Sequence, residues 1–63
     1  MNTIRFVIHD MNRDTRRNAT EQTVRAYLTP DQFDRLVAGA RIAQWQSSNS
    51  IMHRGFVFEA IRN

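Results

Sequence analysis

The chain has 63 residues, with nine basic against six acidic side chains, a formal charge of +3 and no cysteine. This length allows one domain with a small core, in a range where an oligomer or a partner often adds stability. The missing cysteines exclude a disulfide framework, and with His9 and His53 as the only histidines there is little from which to build a metal site. No stretch approaches the length of a membrane span, and no basic segment followed by an apolar run opens the chain. The expectation is therefore a single cytoplasmic domain over 1–63, with no membrane association.

Thr3 to His9 alternates with β-branched and aromatic residues, which predicts a strand with Ile4, Phe6 and Ile8 towards the core and Arg5, Val7 and His9 outward. From Asp10 to Gln22 neither period is evident, and the stretch reads as a flexible arginine-rich loop at about 10–22 carrying Arg13, Arg16 and Arg17. Thr23 to Leu28 alternates again and predicts a second strand, with Val24, Ala26 and Leu28 inward and Arg25 and Tyr27 outward.

Thr29 to Gln46 carries the strongest local signals. Thr29 is a capping residue, Pro30 suits the first helical position, Asp31 complements the dipole and Gln32 completes a capping box. Successive rotations of 100° place Phe33, Leu36, Val37, Ala40 and Ala43 on one apolar stripe. Ala38, Ile42 and Trp45 fall on nearly the opposite side, among Asp34, Arg35, Arg41 and Gln46. Gly39 in the interior either admits close approach by a strand or has no role. Gln46 to Ser50 supplies a polar turn, and Ile51 to Ile61 is strand-like with Phe56, Phe58 and Ala60 on the core face, read as one long strand bulged at Gly55 in preference to a short strand joined to the last by a tight turn at His53-Arg54-Gly55. Glu59 on the other face is placed to pair with Arg5 or Arg25. The resulting expectation is an α+β fold: a three-stranded antiparallel sheet packed on one central helix, in the order β-β-α-β.

Chemistry finds little support. Asp10, Asp14, Glu21, Asp31, Asp34 and Glu59 are dispersed along the chain, and the two glycines, Gly39 and Gly55, form no phosphate loop. Helix-turn-helix and ribbon-helix-helix arrangements each need a second helix that this reading does not supply. The chain is read as a non-enzyme without cofactor, metal or small-molecule substrate. It has the general profile of a small regulator or inhibitor that occupies another macromolecule's surface, of the kind encoded by viruses and mobile elements. The first candidate surface is Trp45, Ile42 and Ala38 with Arg35 and Arg41, binding another protein or a second copy of the chain as a homodimer. The alternative is nucleic acid, bound by Arg13, Arg16, Arg17 and Arg25 with Tyr27 and Arg5.

Overall fold

The computed structural model describes residues 3–42 and 48–62. Its elements run β1 (Ile4–Asp10), β2 (Thr15–Ala19), α1 (Glu21–Tyr27), α2 (Pro30–Ile42), β3 (Ser48–His53) and β4 (Phe56–Arg62). The strands form one antiparallel sheet in the order β2-β1-β4-β3. The fold is thus a four-stranded sheet with two separate helices, which corrects the expected three-stranded sheet on one helix.

Three differences make up that correction. The stretch read as a loop over 10–22 contains β2, joined to β1 by a four-residue turn. Asp10 organises this turn, its Oδ1 accepting from the backbone N–H of Asn12 at 3.0 Å and of Arg13 at 3.3 Å. The segment read as the second strand is α1. Thr20 caps it, its Oγ1 accepting from the Thr23 N–H at 3.2 Å, and Glu21 pairs with Arg25 one turn on at 3.1 Å. Val24 and Leu28 are buried as expected, but four residues apart on a helix, while Ala26 is exposed. Finally, Gly55 is no bulge: Arg54 and Gly55 form a two-residue hairpin turn between β3 and β4. Both have positive φ, +52° and +83°, the backbone of a type I′ turn.

The second helix begins as the sequence implies. Gln32 N–H donates to Thr29 Oγ1 at 3.2 Å and Gln32 Oε1 accepts from Thr29 N–H at 2.9 Å, closing the capping box. Phe33, Leu36 and Ala40 are buried and Val37 packs against the core's edge. They meet Phe6 and Ile8 of β1, Val24 of α1 and Leu28 just after it, and Phe58 and Ala60 of β4 in one apolar cluster on the helix side of the sheet. Ala43 lies outside the described residues. Leu36, Val24 and Phe58 are fully enclosed, each contributing on the order of 1.5–3 kcal/mol by burial.

At Gly39 the helix lies directly against β3. A side-chain carbon there would fall on the carboxamide of Asn49, whose Nδ2 donates to the carbonyls of Arg35 and Leu36 at 3.2 Å each. Gly39 is therefore a close-approach site. We expect Gly39→Ala to destabilise the fold by about 1–2 kcal/mol, although alanine is the better helix former by about 1 kcal/mol. In an Asn49→Ala background the same substitution should become neutral or stabilising; urea unfolding of the four species measures the sign change, and an unchanged sign would reject the contact.

Arg54 holds a left-handed backbone that costs an L-residue about 1–2 kcal/mol. Replacing it by Asn, the residue favoured before Gly in this turn, should raise stability by about 1 kcal/mol. A thermal midpoint no higher than that of the parent would show that the turn is not strained.

Candidate functional site

The helices cover one face of the sheet and leave two recesses beside α1. The larger, a groove of about 900 Å³, opens between α1 and α2 over the start of β1. Ile4, Phe6, Phe33, Val37 and Ala38 supply its apolar surface. Arg5, Arg25 and Arg41 stand at its border with Glu21 and Asp34. The Arg25 guanidinium lies 4.1 Å from the centre of the Phe33 ring while its Nε contacts Glu21, so this cation is already committed on both sides. Phe33 in turn packs on Phe6 with ring centroids 5.6 Å apart.

The smaller recess, about 420 Å³, lies at the turn end of the sheet between the last turn of α1 and the β1–β2 hairpin. Ile8 and Phe56 form its base, and Tyr27, Arg17 and Arg13 stand around it. The Tyr27 ring is set against Phe56 and Phe58, at 5.6 and 5.8 Å between centroids.

Neither family models nor curated proteins nor solved structures give a match to this chain. The geometry alone therefore carries the functional argument.

Of the residues proposed to bind a protein, Arg35, Ala38 and Arg41 are exposed on α2. Ala38 and Arg41 join the groove. Ile42 is the last residue of α2, and its side chain and the whole of Trp45 lie outside the described residues. Arg41 also offers its carbonyl to Arg62 Nη1 at 3.0 Å, which fastens the end of α2 to β4.

The residues of the nucleic-acid alternative are divided among three places. Arg5, Arg16 and Arg17 line a shallow depression on the outer sheet face with Val7, Asn18 and Ile61, and Arg5 also reaches the border of the groove. Arg25 belongs to the groove. Arg13, Arg17 and Tyr27 share the turn-end recess. Arg25 and Tyr27, expected outward on a strand, do not join Arg5, Val7 and His9 on the outer face, because α1 carries them on the opposite side of the sheet. Phe33 and Ile4 as groove residues, and Phe56 as the support for Tyr27, are not evident from the sequence pattern. The helical i,i+4 pairing of Glu21 with Arg25 was the available signal for the first of these, since it turns Arg25 towards α2.

Each histidine has a side-chain partner. His9 Nε2 lies 3.1 Å from Asp14 Oδ1 across the hairpin, and His53 Nδ1 lies 3.3 Å from Gln32 Nε2, joining β3 to the start of α2. No group of three or more His, Asp or Glu side chains converges as a metal site among the described residues.

On the outer face Glu59 pairs with neither Arg5 nor Arg25. Its Oε1 meets Arg16 Nη2 at 3.0 Å. The pair reaches from β4 to β2 over β1, where Val7 is only 7% exposed despite facing away from the helices. The arginine stem covers apolar surface as well as carrying charge. A double-mutant cycle with Arg16→Gln and Glu59→Gln should give a coupling of about 0.5 kcal/mol, the scale of a half-exposed pair, and it should shrink in high salt. Zero coupling at low salt would show that the contact contributes only cover.

Proposed function

We propose that this chain is a non-catalytic binding module that engages another protein through the outer side of α2 and the adjoining groove, acting as a regulator or inhibitor by occupying that partner's surface. The observation that carries the reading is the groove itself. Ala38 and Arg41, chosen from the helix pattern, border an open apolar recess of about 900 Å³. Such an apolar centre with charged residues at its border is the anatomy of a protein-binding patch.

The arginines suit a partner with carboxylates beside an apolar anchor. Arg25 is held by Glu21 and by the Phe33 ring, so Arg5 and Arg41 are the cations more available to an incoming acid. The anchor would lie along Val37 and Ile4. A second copy of the chain is one form such a partner can take.

Ala38→Glu and Arg41→Glu introduce a charge into the recess and reverse one at its border, without touching the buried cluster. Both variants should keep the parent's circular dichroism and melting temperature. Each should lose at least tenfold in affinity for a nuclease-resistant protein captured by the parent chain, or for self-association measured by sedimentation. Undiminished binding by both variants would remove the groove from the interface.

A further inference from the structure

The turn-end recess is a different site from the groove, and its chemistry is different. Tyr27 is 44% exposed although its ring is held against two phenylalanines. One part of the ring is thus fixed by packing while another remains open to a ligand. Beside it, Arg17 extends from the helix-side face of β2, where it is paired in register with Ile8. Among the described residues Arg17 makes no ion pair or side-chain hydrogen bond. Arg13, on the intervening turn, is 83% exposed and has only a 4.0 Å approach to Asp10. Among the described residues Asp10 is the sole carboxylate lining the recess. It is already engaged, with Oδ1 accepting two backbone N–H groups and Oδ2 facing Arg13. The recess therefore presents a supported aromatic surface beside two cations, Arg17 with no ion pair among the described residues and Arg13 with only the long approach to Asp10.

A third cation stands at the same end of the sheet. The β1–β2 turn touches the β3–β4 turn through the Met11 N–H, which donates to the Gly55 carbonyl at 3.1 Å. Arg54 immediately precedes that glycine, is exposed, and retains a left-handed backbone that Asn would accept at lower cost. Strain kept at a surface turn invites a functional explanation. Arg54 thus stands on the turn that adjoins the one carrying Arg13.

We propose that this end of the molecule binds single-stranded nucleic acid, with one base stacked on Tyr27 and the adjoining phosphates met by Arg17, Arg13 and Arg54. Stacking in a recess of about 420 Å³ requires a base that can be splayed from its neighbours. A paired base is held in its duplex and cannot enter, which makes the strand single. Planar guanidinium groups suit phosphate oxygens, and every basic side chain in the sequence is an arginine. This site shares no residue with the groove, so either function can fail without the other.

The test uses the full chain and fluorescein-labelled single-stranded decamers of DNA and RNA, with the matching duplex and an unlabelled mononucleotide as competitors, read by fluorescence anisotropy from about 20 to 200 mM salt. The parent should bind a single strand, with affinity falling as salt rises by about 0.7 in logarithmic slope for each phosphate contacted. Tyr27→Leu should weaken binding about tenfold while Tyr27→Phe retains it, since stacking needs the ring and not the hydroxyl. Arg54→Asn is the decisive variant. It should melt higher than the parent yet bind more weakly, with the salt slope reduced by about 0.7, a combination that loss of fold cannot produce. No binding of either decamer at low salt would overturn the proposal. So would duplex binding equal to single-strand binding, a mononucleotide competing as well as a decamer, or parental affinity in a folded Tyr27→Leu.

Discussion

The pairing of the first strand with the last holds the rest of the molecule in place. β1 and β4 match over seven residue pairs, from Ile4 with Arg62 to Asp10 with Phe56. They are the two inner strands of the sheet. Phe6, Ile8, Phe58 and Ala60 point from these strands into the buried cluster, so the ladder and the core are made by the same residues. Closing so long a span of chain is entropically costly, and burial of these side chains is what offsets it. The outer strands carry less of this load. β2 is mostly exposed, and β3 alternates exposed with half-buried residues. Their arginines and serines also discourage pairing with foreign strands at the sheet's edges.

What the sequence disclosed follows this division. β1, the apolar half of α2 and the core face of β4 were legible because they bury side chains at a regular period, and the start of α2 because Thr29 and Gln32 stand at capping-box spacing. β2 has no such signal. As an edge strand it sends only Ala19 towards the core, so no alternation marks TRRNA as extended. The error at α1 has another cause: Val24 and Leu28 satisfy both a strand of period two and one helical turn of four. Ala26 discriminates, being inward on a strand and exposed here. Thr20 as a cap, with Glu21 and Arg25 one turn apart, gave the local evidence for the helix.

That single ambiguity determines where function can be sought. On a strand, Arg25 and Tyr27 would share a face; on a helix they are separated by about 200° around the axis. Arg25 accordingly lies on the Phe33 ring at the groove, and Tyr27 lies with Phe56 at the turn end. The arginines are countable in the sequence, but their grouping depends on the β1–β2 hairpin and on α1, the two features without a clear period. Arg16 and Arg17 show this most directly. They are adjacent in the chain and diverge in space, one to Glu59 on the outer face and the other to the recess on the helix side.

The recesses themselves follow from a mismatch of lengths. α1 has seven residues and β1, beneath it, also has seven. Seven helical residues rise about 10 Å, whereas seven extended residues span about 23 Å. One short helix cannot roof one strand from end to end, and α2, at thirteen residues, is committed to β3 and β4 through Asn49, Leu36 and Phe58. The sheet is consequently left open at both ends of α1. Ile4 and Phe6 border one opening and Ile8 and Phe56 the other, each with arginines beside an aromatic ring. Lengthening α1 would close the recesses and enlarge the core. At its present length α1 leaves both openings uncovered.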